Sequence, residues 1–301
     1  MDKDRYLIRP SDTCYPELLK DLERAPELYV LGDPDILGTE TISIVGARRA
    51  TPYGLAVSEM AARISAECSL TVVSGGARGC DHAASRSALD AGGRTIIVSG
   101  VGADLVYPPD SADIFFDAVE RGGAIVSLER WGTDVRRHQF PKRNRIIAAL
   151  SRSLFVAEAG LRSGTMSTAE AAAELCRRLY AVPGSIFSPA SSGSNSLIRS
   201  GADIICDERD LEQVISSDYG VLRCVAHRTG RPCGDVLSAL LASPLRPQEL
   251  AERLNKDVLT LIKTLSEYEV LGMVVKLPDG RYAPSKDAYL SHNRGGGIRD
   301  S

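Results

Sequence analysis

The sequence predicts an α/β fold with a mostly parallel sheet, followed by a small C-terminal winged-helix module. Three observations carry this expectation. Short runs rich in Ile and Val, apolar throughout rather than alternating, recur between residues 42 and 206. Strands of that kind are buried on both faces. Most of them are followed by a turn and a segment with apolar residues at helical spacing, the rhythm of strand–helix–strand crossovers. After residue 233 the pattern changes to helices alone, closed by two short strands.

Residues 1–40 form a short lead-in around Tyr15, Pro16, Leu18 and Leu19, with P-E-L-Y-V-L-G-D as an edge strand ending in a turn. The first sheet strand, 42–45, stops at Gly46, and an amphipathic helix follows over 55–66. Strand 70–73 ends in Ser74, Gly75 and Gly76, and Arg78 and Gly79 lead into a helix that runs to about Ala91. Strand 94–98, a rigid loop with Asp104, Tyr107, Pro108 and Pro109, a helix near 111–121 and strand 124–128 come next. Residues 129–145 break the rhythm and read as a basic loop, with helix only from Ile146 to Leu150. Strand 154–156 precedes an alanine-rich helix opened by Ser163, Gly164 and Thr165. Strand 179–182, a polar loop at 191–196, strand 202–206 and a helix near 208–216 complete the first domain, 41–216. A linker over 217–233, with Gly220, Gly230 and Pro232, separates it from the second. Residues 234–285 hold three amphipathic segments and a strand pair around a P-D-G turn, the order of a winged helix. A flexible tail is expected over 286–301.

With 301 residues and 44% hydrophobic content, the chain can bury one large core or two smaller ones. Its formal net charge is -3, so a surface for nucleic acid has to be local. No apolar run approaches the roughly 18 residues of a membrane span, and the start, M-D-K-D-R-Y, is not that of a signal peptide. The seven cysteines are scattered, without a C-x-x-C pair, so neither metal site nor disulfide framework is expected. Reduced thiols suit a cytoplasmic protein.

The chemistry concentrates in four places. Gly46 ends a buried strand, and Arg48 and Arg49 stand in the turn that follows. Backbone amides at such a turn, helped by the helix dipole, receive an anion, and the arginines point to phosphate. The motif is neither G-x-G-x-x-G nor G-x-x-x-x-G-K-[ST], so neither a dinucleotide fingerprint nor nucleoside triphosphate hydrolysis is indicated. The turn of Ser74, Gly75, Arg78 and Gly79 repeats the pattern, with Asp81 at the helix start or accepting from loop amides. Arg136, Arg137, Lys142, Arg143 and Arg145 fall within ten residues that contain no acid, beside Phe140 and Asn144. Cations interleaved with an aromatic suit single-stranded nucleic acid, phosphates meeting the charges and a base the ring. Ser163, Gly164 and Thr165 again place amides and hydroxyls at a helix start.

Together these blocks resemble the bacterial DNA processing protein A (DprA/Smf) family. The resemblance rests on I-V-G-A-R with Y-G, S-G-G-A-R-G-C-D, G-V-G-A-D-L-V-Y-P-P, F-P-K-R-N-R-I-I-A-A-L-S, V-A-E-A with S-G-T and T-A, A-V-P-G, and G-S-N-S-L-I-R-S-G-A, spanning residues 41–206 in order. It implies an extended Rossmann-like domain that binds single-stranded DNA, protects incoming DNA and helps load the RecA recombinase in natural transformation. It also implies a homodimer, with no cofactor and no enzymatic activity. By this resemblance Arg48 meets DNA phosphate, Lys142 lies near the same pocket and Phe140 opens the aromatic block. The family histidine has no counterpart at its usual place, since Ala83 and Ala84 stand there and the nearest histidine is His82. The longer N-terminal helical domain of many members is expected to be truncated or absent. An alternative is a nucleotide-processing hydrolase of related fold, for which Glu158 is the nearest candidate acid. In the C-terminal module the third helix carries Lys263 but also Asp257, Glu267 and Glu269, which suits protein docking better than a DNA groove.

Overall fold

The computed structural model describes residues 4–223 and 235–293. The chain divides into two compact units, Met1–Ala50 with Val57–Val225, and Thr51–Ala56 with Ala226–Ser301. The first carries, in order, β1 (Arg5–Ile8), β2 (Leu28–Gly32), β3 (Thr41–Val45), α1 (Pro52–Glu67, of which Pro52–Ala56 group with the second), β4 (Thr71–Ser74), α2 (Cys80–Asp90), β5 (Thr95–Ser99), α3 (Ala112–Glu120) and β6 (Ala124–Ser127). It continues with α4 (Gln139–Ala149), β7 (Ser153–Val156), α5 (Gly164–Glu174), β8 (Arg178–Ala181), α6 (Ser192–Arg199), β9 (Asp203–Ile204) and α7 (Glu208–Tyr219).

Among the described residues these nine strands form one sheet in the order β1-β2-β6-β5-β4-β3-β7-β8-β9. From β6 to β9 every pairing is parallel. Every residue of β3, β4, β5, β6 and β7 is buried, as the continuous apolar runs require of strands covered on both faces. The lead-in joins the sheet, because β2 pairs antiparallel with β6 and β1 with β2. The chain steps outward through β4, β5 and β6, then returns to the other side of β3 for β7. That reversal is the switch point of a doubly wound sheet, where a crevice opens beyond the strand ends.

Polar side chains inside this sheet are spent on docking. Ser43 Oγ donates to the Ile147 carbonyl at 2.6 Å, and Thr41 Oγ1 to the Leu150 carbonyl at 2.6 Å. These carbonyls belong to the last turn of α4, where helices leave acceptors unmatched. The contact fixes α4 along β3 and so sets where its first turn lies.

Three elements differ from expectation. Helix α4 begins at Gln139 rather than at Ile146, because Pro141 falls in its first turn, where proline has no hydrogen bond to lose. The stretch expected as a polar loop at 191–196 lies almost wholly in α6, since the Ala159 carbonyl accepts from the amides of Gly193 and Ser194 and Leu197 is buried; tertiary contacts override weak propensity. The chain past 216 stays attached to the first unit. Tyr219 donates its hydroxyl to the Thr41 carbonyl at 2.8 Å and meets Ser153 Oγ at 2.6 Å, and Arg223 pairs with Glu67 at 2.6 Å, with Glu208 at 3.4 Å and with Glu212.

The second unit contains α8 (Asp235–Ala242), α9 (Pro247–Leu254), α10 (Val258–Val270), β10 (Val274–Lys276), β11 (Tyr282–Pro284) and α11 (Lys286–Asn293). The last two strands pair antiparallel across the P-D-G turn, giving the element order expected of a winged helix. Leu237, Leu240, Leu250, Leu261, Leu265 and Val274 form its core. Residues 286–293, expected as flexible tail, form α11, and Ala288 packs into that core; the rest of the tail, 294–301, and residues 224–234 of the expected linker lie outside the described residues. Among the described residues no helix is long and apolar enough to cross a membrane.

The anchoring of Tyr219 and Arg223 predicts that a chain ending at residue 216 is less stable than one ending at 223, by about 3 kcal/mol for the loss of two hydrogen-bonded anchors. Urea melts of the two truncations, followed by circular dichroism, measure the difference. Equal midpoints and slopes would show that the anchors contribute nothing.

Candidate nucleic-acid interface

The crevice at the C-terminal ends of β3 and β7 is a cavity of ≈ 340 Å³ lined by Val45, Gly46, Arg48, Ala77, Asp81, Arg143, Asn144, Ser163, Gly164, Thr165 and Thr168. Four segments expected to carry chemistry thus meet in one place. Their meeting is enforced by hydrogen bonds. The Cys80 amide donates to the Ala47 carbonyl at 3.2 Å, which ties the start of α2 to the turn after β3. Thr165 Oγ1 donates to the Gly46 carbonyl at 2.9 Å, and Ser163 caps α5 by accepting from the Thr165 amide at 3.2 Å. Asn144 donates to the Gly164 carbonyl at 3.2 Å and to Ser167 Oγ at 2.8 Å, holding α4 against α5.

At the base of the cavity lies a buried charge pair. Arg143 and Asp81 are about 94% and 95% buried, with Nη1 and Oδ2 separated by 3.8 Å. Asp81 also accepts from the Gly46 amide at 3.4 Å and from the Ala77 amide. Burial raises its carboxyl above the ordinary range, against the pull of Arg143 and of the two amides. Burial likewise lowers the guanidinium of Arg143, with Asp81 opposing and Arg48 adding to the depression. The Nε of Arg143 has no hydrogen-bond partner. One donor of this guanidinium is therefore buried without a partner. Cys80, beneath it, is pushed up to about 12 by burial, so the thiol stays protonated and unreactive.

Phe140 stands at the rim. The guanidinium carbons of Arg48 and Arg143 lie 5.5 and 5.7 Å from its ring centroid, within cation–π range. Tyr107 tilts against the same ring at 5.7 Å. A Cβ on Gly100 would come within 2.9 Å of the ring, so only glycine at the end of β5 lets Phe140 sit there. Tyr107 was not singled out as a contact; the S-G-V-G turn and the Y-P-P triplet were its signals.

The expected cations separate into two classes. Arg48, Arg49, Arg137 and Lys142 are exposed and form no ion pair among the described residues, and the same holds for Arg162, which was not among those expected. Arg145 is matched by Glu174 at 2.7 Å, and Arg78 is held by Asp110. Arg78, expected at phosphate, forms this pair at the surface, with both side chains 62% exposed. Ser74 is a clearer correction: it is fully buried and donates to the Ile44 carbonyl at 2.7 Å, completing the sheet instead of facing a ligand. Gly75 lies beneath Arg143, where a Cβ would overlap the guanidinium, and Gly79, at φ +81°, turns the chain into α2. His82 pairs with Asp113 at 2.9 Å. Glu158, the acid of the hydrolase alternative, is 2% exposed and does not line the cavity; the carboxylate that does is Asp81, engaged with Arg143.

Comparison with known proteins bears on this geometry. The family model for DNA recombination-mediator protein A matches residues 6–216. The chain belongs to that family. It is 28% identical to protein Smf of Escherichia coli over 291 residues, covering 93% of this chain and 78% of that one. It is 37% identical to DNA processing protein DprA of Streptococcus pneumoniae over 201 residues, 66% of this chain and 71% of that one. The X-ray structure of the latter aligns with a TM-score of 0.66 at 34% identity, over 72% of this chain and 75% of that chain. DNA processing protein A from Helicobacter pylori, described for its single-stranded DNA binding mode, aligns with a TM-score of 0.64 at 29% identity, over 71% and 97%. The fold of the first unit is thus that of the recombination-mediator family.

Replacing Asp81 with alanine is expected to destabilise the first unit by about 3–5 kcal/mol, because it strands a buried guanidinium. Adding Arg143→Met should restore much of that loss. The four-member cycle by chemical denaturation measures the coupling, and purely additive losses would show that the two charges do not depend on each other.

Proposed function

We propose that the protein binds single-stranded DNA along the C-terminal rim of its sheet and acts as a recombination mediator. One observation carries this reading: an unpaired Arg48 and a buried Arg143 line one cavity and both lie against a half-buried aromatic, with further unpaired cations on the neighbouring segments. Arg48, with Arg143 behind it, faces the cavity, Phe140 lies between their charges, and Lys142 and Arg137 stand on and just before α4. A mononucleotide needs few positive partners, whereas a polyanion can use all of these. Phosphates would meet Arg48, Arg49, Lys142 and the amides at the start of α5, and an unstacked base would meet Phe140.

On this reading the protein protects incoming DNA and hands it to the RecA recombinase, acting in the cytoplasm as a homodimer and without catalysis of its own. Family membership supports the mediator role; the transfer to RecA and the dimer are tested by RecA filament formation on protein-coated strands and by light scattering at tens of micromolar. The second unit is not a principal DNA contact on this reading. The exposed side of α10 presents Leu259, Ile262, Glu267 and Val270 with Lys263, a poor match to phosphate.

Fluorescence anisotropy is expected to show tighter binding to oligothymidylate than to duplex of equal length. Lys142→Ala should lower the dependence of log affinity on log salt by up to about 0.7, as loss of one phosphate contact requires. Phe140→Ala should cost about 1–3 kcal/mol with little change in that slope. Equal affinity for duplex and single strand would sink the proposal.

A further inference from the structure

A second cavity, of ≈ 470 Å³, lies beside the first and is lined by Ala47, Arg48, Arg49, Gly160, Leu161, Arg162, Ser163, Pro189, Ala190 and Ser192. The two cavities share Arg48 and Ser163. The second is built by the loop after β7 against the start of α6. The Leu161 amide donates to Ser192 Oγ at 3.3 Å, Ser192 Oγ donates to the Pro189 carbonyl at 2.7 Å, and the Gly193 amide to the Ala159 carbonyl at 2.7 Å. The walls are therefore held together before any ligand arrives.

Two kinds of surface meet there. Leu161, Pro189, Ala190 and Ala47 supply an apolar lining, with Leu161 61% exposed. Arg48, Arg49 and Arg162 supply three charges without an ion-pair partner among the described residues. An apolar seat edged by free guanidinium groups matches a nucleotide, whose base prefers the lining and whose phosphates prefer the edge. An apolar peptide would leave the three charges unmatched, and a free phosphate would leave the lining unused.

Resting on the proposed function, we infer that this second cavity seats a further nucleotide of the same single strand, so that the strand crosses Arg48 with one nucleotide on either side. Arg48 then serves the phosphodiester between the two seats, while Arg49 and Arg162 hold the next phosphate. Ile186 and Phe187, two or three residues before Pro189, are 84% and 85% exposed.

The test uses the full chain, fluorescein-labelled oligothymidylates of increasing length, and strands carrying 5-iodouracil. Leu161 and Arg162 are exposed, so Leu161→Ala and Arg162→Ala leave the core intact. With strands long enough to fill both cavities, Arg162→Ala should weaken binding roughly tenfold and lower the salt slope by about 0.7. Leu161→Ala should weaken it about threefold with the slope unchanged. Photocrosslinks should appear within residues 160–163 or 186–192 as well as at α4. If the wild-type chain binds these strands, both variants match it at every length and crosslinks stay within α4, the second seat is overturned while the proposed function stands. If the wild-type chain binds none of the strands, both fall.

Discussion

The site depends on the charge pair of Asp81 and Arg143. Three segments, after β3, after β4 and in the first half of α4, converge on it at the sheet rim. One carboxylate gathers them by accepting the amides of Gly46 and Ala77 and standing 3.8 Å from a guanidinium on α4. Both charges are almost completely buried, so each alone would be expensive to keep. Gly75 leaves the space that the guanidinium occupies. The pair is not a stabilising device in the ordinary sense, since apolar residues of similar volume could pack as well. It holds a cation inside a cavity with its Nε still unmatched.

Around this fixed interior the exterior is arranged for a different purpose. Among the cations of the site segments some are ion-paired and others are not. Arg145 and Arg78 have acidic partners at the surface, whereas Arg48, Arg49, Arg162 and Lys142 have no ion-pair partner among the described residues. The parallel sheet makes this economy possible, because β3, β4, β5, β6 and β7 all deliver their following turns to one side. Helix α5 adds its positive end to the same side.

Most of the sheet was legible in the sequence because strands buried on both faces read as unbroken apolar runs. The turns after β3 and β4 and the cap of α5 were legible for the same local reasons: glycine, then a capping or charged residue. What was not legible depends on contacts between distant segments. Pro141 reads as a breaker until it is seen in the first turn of α4. Arg143 reads as one more surface cation until Asp81 faces it. Ser74 looks like a turn hydroxyl, and only its burial against Ile44 shows that it serves the sheet. Arg162 stands alone in sequence, and its value comes from Arg49 and the α6 start meeting it across a cavity. The start of α6 carries residues of low helix propensity and is held by carbonyls of the β7 loop.

The Tyr219 anchor sits at the beginning of β3, at Thr41, and the crevice sits just past its end, at Gly46. Five residue steps along the strand separate them, roughly 17 Å. At that distance changes to Tyr219 and to the crevice side chains are expected to combine additively, whereas Thr41 itself, bonded to the end of α4 through the Leu150 carbonyl, couples to both. Robustness and recognition are thereby placed on separate dials. A lineage of such proteins could retune its melting behaviour through the residues around Tyr219 while leaving the affinity of the rim untouched, and could remodel the rim while drawing on stability held at the opposite end.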